Sequence, residues 1–395
     1  MITLSHAITS LLALTAVAVA APTEKRGHHF TIQQGDRVRA PLSPAAHYMR
    51  AFQKFQKPVP DHVLTAVQGG TGTVPAVPEE WDTEYLTPIT VGGQILHVAI
   101  DTGSSDMWVF SSQLAPGARA GHSVYTPGIN AQRLDRHYWR ILYGDGTSAS
   151  GNVYIDSVTV GGVTSPKQAV GAAQRVSEEF IKDINNDGVM GISFSNASLI
   201  KPTGQTSWFD NVKDTLASPL FAVTLKRKAP GSFDFGYIDK KKYTGEITYT
   251  AVDSSDGWWV VTSDAYNVGN KRYTTPIRAI VDTGTTLLLV PPTVAKSYYE
   301  QVPNARVGQQ SGGYEFPCDD TVPDFSVEFH GYKAVVPGDY IKYQPISKGS
   351  NICFGGIQAA NDPEFSIFGD MLLKSQYVVF DASGSQPRMG WANQT

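Results

Sequence analysis

The chain has 395 residues, of which 41% are hydrophobic and 17% charged, with a formal net charge of −4. That length and balance can bury a large core in two or more domains and exclude disordered and collagen-like classes. With 37 Gly and 24 Pro set among many Val, Thr, Tyr and Phe, the chain reads as short strands joined by turns, an all-β protein.

In chain order, the apolar stretch from Ile8 to Ala20 is too short to span a bilayer and ends on the small-residue triplet Ala18-Val19-Ala20, so residues 1–20 read as a cleaved secretory signal. No later segment is apolar for long enough to cross a membrane, and no membrane partner is expected. Residues 21–69 carry seven Lys/Arg against three acids, a charge of +4, which leaves −8 for residues 70–395. Carboxylates of an acidic body attract such a segment near neutral pH and release it when protonated, which is the pattern of an acid-released propeptide. A solvated basic arm is the bland alternative. The stretch Gln68–Gly72, followed by Val74-Pro75, reads as the exposed junction.

The body repeats itself at long range. Val98-Ala99-Ile100-Asp101-Thr102-Gly103-Ser104-Ser105 leads to Gly188-Val189-Met190-Gly191, and Ala279-Ile280-Val281-Asp282-Thr283-Gly284-Thr285-Thr286 leads to Ser366-Ile367-Phe368-Gly369. Two lobes are expected, an N-terminal one over 70–250 and a C-terminal one over 251–395. In each copy an apolar run delivers a buried strand, and Gly directly after Asp-Thr allows a tight turn, so the carboxylate is presented at a strand end. If the lobes pack with two-fold symmetry, Asp101 and Asp282 meet where both cannot be ionised together. Sharing one proton, they can activate a water and protonate a scissile carbonyl, which needs no metal, cofactor or covalent intermediate. Thr102 and Thr283 can hydrogen-bond across the axis, while the hydroxyls of Ser104 and Thr285 can hold the outer carboxylate oxygens.

From about Glu84 to Ala392 the chain resembles the pepsin-like aspartic proteases, within them the secreted fungal penicillopepsin and aspergillopepsin type. The matching residues are Asp101–Val109, Asp282–Thr286, Tyr143-Gly144-Asp145-Gly146 and Phe365–Asp370. The resemblance implies a bilobal, mostly antiparallel β fold with a cleft between pseudo-symmetric lobes, a monomer, protein and peptide substrates, and pepstatin-type inhibitors. It also implies acid-limited endopeptidase activity with a broad preference for large apolar residues around the scissile bond, and it favours extracellular delivery. Tyr143 and Gly144 are placed at the tip of a flap, with the Trp108 indole N–H expected on the Tyr143 hydroxyl. Asp145 beside the cleft can pair with a substrate lysine. A propeptide lysine is implied to ion-pair with both aspartates; Lys54, before Phe55, is the candidate, with Lys57 before Pro58 close behind.

Cys318 and Cys353 are the two cysteines, and their spacing reads as one disulfide in an oxidising compartment. Asn196-Ala197-Ser198 and Asn393-Gln394-Thr395 match the glycosylation acceptor pattern. Asp183-Ile184-Asn185-Asn186-Asp187-Gly188 copies the start of a calcium-binding loop, but the twelfth position is Phe194, so a polar loop is the better account. No nucleophile-elbow, Walker or dinucleotide motif is present, and the acidic body argues against nucleic acid. A catalytically silent binding protein on the same fold is the competing class. Intact aspartates, glycines and flap tyrosine argue against it.

Overall fold

The computed structural model describes residues 27–33, 44–55, 57–60, 62–63, 85–142, 148–309, 311–360 and 365–395. The expected secretory signal over 1–20, the expected junction at 68–75 and the expected flap residues Tyr143, Gly144 and Asp145 lie outside them. Short strands dominate, as the Gly- and Pro-punctuated sequence implies, and the chain folds as an all-β, bilobal protein. Among the described residues no helix is long and apolar enough to cross a membrane.

The N-terminal lobe is a seven-stranded sheet in the order Leu86–Val91, Gln94–Asp101, Gly188–Gly191, Met107–Val109, Val163–Val176, Ser148–Val160, Gln132–Leu142. Leu86–Val91 also pairs with Ser148–Val160, so the sheet curls back on itself. Ser148–Val160 largely alternates buried with half-buried positions, the period of two that packs one face of a strand on a core. In the C-terminal lobe, Val260–Thr262, Arg278–Val281, Ile367–Phe368, Leu288–Val290 and Ile357–Ala359 form a five-stranded sheet, flanked by two sheets of four strands. Cys318 and Cys353 are bonded there, with Cα atoms 4.9 Å apart, beside the paired strands Tyr314–Pro317 and Ile352–Gly355.

A six-stranded sheet belongs to both halves: Phe30–Gln33, Ala229–Phe235, Leu220–Lys226, Gln376–Asp381, Arg388–Gln394 and Tyr243–Ala251, in that order. Its first strand comes from the basic segment and pairs antiparallel with the body, Phe30 opposite Phe235 and Gln33 opposite Ser232. The same segment also supplies the helix Pro44–Lys54. Pro at the first helical position is pre-set for that conformation, and Ala, Met, Arg, Gln and Lys are good helix formers. Tyr48, Met49, Ala51 and Phe52 on this helix are all buried, and they join Ile32 and Val63 in one apolar cluster with residues of both lobes.

Candidate active site

Asp101 ends the strand Gln94–Asp101, which runs parallel to Gly188–Gly191 with Asp101 opposite Gly191. Asp282 follows Arg278–Val281, which runs parallel to Ile367–Phe368. A third strand lies antiparallel on the other side each time, Met107 opposite Met190 and Leu288 opposite Phe368. The repeat is thus one structural device built twice. Gly191 and Gly369 are required by it, because a Cβ would lie 2.6 Å from the Ser104 carbonyl oxygen in one copy and 2.3 Å from that of Thr285 in the other.

Each carboxylate sits in the same cage. Gly103 N–H donates to Asp101 Oδ1 and Gly284 N–H to Asp282 Oδ1, both at 2.8 Å. Ser104 Oγ donates to Asp101 Oδ2 at 2.6 Å, and Thr285 Oγ1 does the same for Asp282 Oδ2. Across the axis, Thr102 Oγ1 donates to the Val281 carbonyl at 2.9 Å and accepts from Thr283 N–H at 3.0 Å, while Thr283 Oγ1 donates to the Ile100 carbonyl at 2.8 Å and accepts from Thr102 N–H at 3.1 Å. These four bonds tie the lobes together at the point where the aspartates meet. Glycine is needed there as well: a Cβ on Gly103 would stand 2.5 Å from Asp282 Oδ1, and one on Gly284 would stand 2.6 Å from Asp101 Oδ1. Asp101 and Asp282 are 5% and 0% exposed.

Lys54, at the end of the helix, places Nζ between them, 2.7 Å from Asp101 Oδ1, 2.6 Å from Asp282 Oδ1 and 2.7 Å from Asp282 Oδ2. Burial pushes the Asp101 carboxyl up, but the Lys54 charge and hydrogen bonds from Lys54 and Ser104 outweigh it and hold Asp101 below the usual carboxylate value. Asp282 lies above that value because burial, with the negative charge of Asp101, exceeds what Lys54 offsets. Burial disfavours the Lys54 ammonium, yet the two carboxylates raise its pKa above that of an ordinary lysine. Without the lysine, two carboxylates this close hold a single proton between them, an arrangement that can both accept a proton from water and donate one to a carbonyl.

Lys57, the other candidate lysine, is directed elsewhere, with Nζ 5.4 Å from the centre of the Phe365 ring. Trp108 is buried against Trp139 (ring centres 5.4 Å apart) and Phe180 (5.2 Å), and its indole Nε1 has no acceptor among the described residues. Gln132–Leu142 and Ser148–Val160 pair antiparallel down to Leu142 opposite Ser148, and residues 143–147 lie outside the described residues. Asn196 is exposed, its amide donating to the Ser254 and Ser255 carbonyls, and Asn393 is exposed on the shared sheet. Within the calcium-like loop, Asn186 Oδ1 accepts from Gly188 N–H, and the Asp187 oxygens accept from His97 and Ser123 N–H groups.

Sequence reasoning missed how the basic segment is anchored. Phe55 packs edge-on against Trp258 at 5.3 Å and beside Phe365 at 5.5 Å, Phe52 lies 6.0 Å from Phe365, and the Tyr48 hydroxyl donates to the Ala359 carbonyl. The signal was present: Tyr48, Phe52 and Phe55 fall at i, i+4 and i+7, one face of a helix.

Residues 84–394 match the family described as eukaryotic aspartyl protease. Among curated relatives, the chain is 48% identical over 398 residues to aspergillopepsin-1 of Aspergillus fumigatus, covering 100% of both proteins. It is 49% identical over 394 residues to penicillopepsin-3 of Penicillium janthinellum, covering 98% of each, and 49% identical over 398 residues to penicillopepsin-2 of that organism, covering 100% of each.

Proposed function

This chain belongs to the eukaryotic aspartyl protease family and is an aspartic endopeptidase of the pepsin type, and from that premise we propose that Asp101 and Asp282 are its catalytic pair, acting at acidic pH in a protein made as a secreted zymogen. The observation that carries this reading is the pair of matched carboxylate cages closing on a single lysine nitrogen. Once Lys54 leaves, a water takes its place between the inner oxygens. The ionised member of the pair removes a proton from that water as it attacks the scissile carbonyl, and the protonated member donates to the carbonyl oxygen. Ser104, Thr285 and the two glycine N–H groups hold the carboxylates in position, so the attack needs no rearrangement of the site.

Residues 21–69 act as the propeptide, and Lys54 is its plug. Removal in acid is autocatalytic and leaves a monomer that cleaves exposed protein segments. The aromatic rings of Phe52 and Phe55, set against Phe365 and, for Phe55, Trp258, support a preference for large hydrophobic residues around the scissile bond. Asp145, two residues after Tyr143, supports acceptance of lysine on the amino side. An Asp145→Ala enzyme should cleave lysine-containing peptides at least tenfold less well relative to leucine-containing ones; an unchanged ratio would remove Asp145 from specificity. The amino-terminal leader, the disulfide and the exposed sequon at Asn196 fit delivery through the secretory pathway.

The deciding experiment is haemoglobin cleavage between pH 2 and 7 by acid-incubated protein, with and without pepstatin and beside an Asp101→Asn variant. Acid-limited cleavage abolished by both supports the pair. No cleavage by folded, processed protein would favour a silent binding protein.

A further inference from the structure

One polar side chain interrupts the apolar run beside the first aspartate. In Val189-Met190-Gly191-Ile192-Ser193-Phe194, Ser193 is 1% exposed, and a hydroxyl buried to that degree needs a partner. Its partner lies in the other lobe. Ser193 Oγ donates to the Gly257 carbonyl at 2.6 Å, and the next N–H, that of Phe194, donates to the same oxygen at 3.2 Å. Gly257 closes a turn, with its N–H on the Ser254 carbonyl at 3.0 Å and φ at +85°. A Cβ there would stand 2.6 Å from the Ala197 nitrogen, so the turn permits this close approach only as glycine.

Both ends of the contact lead directly to the aspartates. On one side, Ile192 N–H donates to the Asp101 carbonyl and Ser193 N–H to the Ser104 carbonyl, each at 2.9 Å. Ser104 is the residue whose hydroxyl holds Asp101 Oδ2. On the other side, the Trp259 carbonyl accepts from Val281 N–H at 2.9 Å, directly before Asp282, and the Trp259 ring packs on Phe194 at 4.4 Å. The strand that begins next, Val260–Thr262, pairs with Arg278–Val281. The two carboxylates are therefore joined by a route separate from the threonine bonds at the axis. The second copy of the repeat is built differently at this place, because after Gly369 the chain enters the helix Asp370–Leu373. The tie belongs to the Asp101 half of the pair.

We propose that Ser193 is a positioning residue for the catalytic pair: its hydroxyl couples the turn that carries Asp101 to the segment that delivers Asp282, and so fixes the spacing of the two carboxylates. This rests on the reading of Asp101 and Asp282 as that pair. The threonine bonds meet at one place, where they resist separation of the lobes but not rotation about the meeting point; an attachment at Gly257 opposes the rotation. The shared six-stranded sheet also joins the lobes, but neither carboxylate lies on its strands. Two groups that must share one proton and hold one water depend on spacing to a fraction of an ångström.

The test is Ser193→Ala in the full chain, activated in acid beside the parent. The Gly257 carbonyl keeps the Phe194 N–H, so the variant should fold, as circular dichroism would check. On a fluorogenic peptide kcat should fall roughly 10- to 100-fold, the scale of a displacement of up to about an ångström. KM should stay within about twofold of the parent, since the loss is felt only when the carboxylates act. The pH–rate profile is a readout that lost stability alone would not move: its two apparent pKa values belong to the pair, and the gap between them shrinks as the carboxylates separate. At an effective dielectric constant of about 20, about half an ångström of added separation narrows that gap by roughly 0.3–0.5 pH units. Ser193→Thr, which keeps the hydroxyl, should restore both kcat and the gap. An unchanged kcat or an unchanged gap in Ser193→Ala, or an equal loss in folded Ser193→Thr, would overturn the role. Asp101→Asn separates this outcome from the reading beneath it. If that variant still cleaves, the pair itself falls, whereas an inactive Asp101→Asn beside an unaffected Ser193→Ala removes Ser193 alone.

Discussion

Replacing Lys54 with methionine removes the charge and keeps a stem of similar length, so it isolates what the ammonium does. Nζ makes three contacts of 2.6–2.7 Å to the aspartates. Charge-assisted hydrogen bonds of this kind contribute about 1.5–3 kcal/mol each, and desolvation of the ions returns much of the sum. A net loss of about 3 kcal/mol, or roughly 100-fold in the docking equilibrium, is the expected size. Tyr48, Met49, Phe52 and Phe55 are nearly or fully buried, and at about 1.5–3 kcal/mol each they supply roughly twice to four times that amount. The variant should therefore still dock, but leak. The sign of the pH effect follows from what leaves with the lysine. Burial raises both carboxyls whether lysine or methionine is docked, whereas the Lys54 contribution lowers both and is present only in the parent. The docked parent thus binds fewer protons than the docked variant, so the Lys54 contribution to docking is present above the titration of the two carboxyls and is lost as pH falls through it. In Lys54→Met this dependence is missing, and prosegment removal should begin about one to two pH units higher than in the parent. Gel analysis of conversion after pH jumps between 3 and 7, with initial rates on a fluorogenic peptide, reads both effects. Superimposable conversion curves would refute the plug.

Thr102→Val keeps the shape of the side chain but removes the hydroxyl that donates to Val281 and accepts from Thr283. Two groups lose their partners at about 1–2 kcal/mol each, so calorimetry should show Tm roughly 2–5 °C lower in a chain of this size; a change under about 1 °C would mean the cross-axis bonds do not couple the lobes. Gly284→Ala puts a methyl 2.6 Å from Asp101 Oδ1, which must displace one carboxylate. With secondary structure unchanged by circular dichroism, kcat should fall roughly 100-fold, the scale of an ångström of misplacement, and a fall under about threefold would show that the pair tolerates the shift.

The proposed catalytic turns were legible because everything they need is local: an apolar run, then Asp-Thr-Gly, written twice with a second apolar-Gly segment 87 to 90 residues on. Lys54 and Lys57 could not be separated by sequence, since both are basic and both lie within two residues of Phe55. Geometry distinguishes them, because Lys54 is the last residue of a helix seated in the cleft while Lys57 lies beyond it, over Phe365. That helix went unread because overall composition pointed to strands, although the Tyr48, Phe52 and Phe55 stripe marked it. The shared six-stranded sheet was not readable in any local pattern. Leu220–Lys226 pairs with Gln376–Asp381 across more than 150 residues, and Asp187 meets His122 from 65 residues away. Partners at that range are chosen by the packing of whole lobes.

The two modes of attachment make the basic segment more than a charge plug. Acid weakens the hold of Lys54, but Ile32, Tyr48, Phe52, Phe55 and Val63 are buried by contacts that do not titrate, and Phe30–Gln33 remains hydrogen-bonded along a sheet edge. Protonation alone therefore loosens the segment at the aspartates without detaching it. Complete release requires that the chain be cut, and the proposed place for that cut is the junction expected at Gln68–Gly72. On this reading acid supplies the first opening of the site, cleavage makes it irreversible, and a return to neutral pH cannot restore a plug whose anchor has been severed from the body.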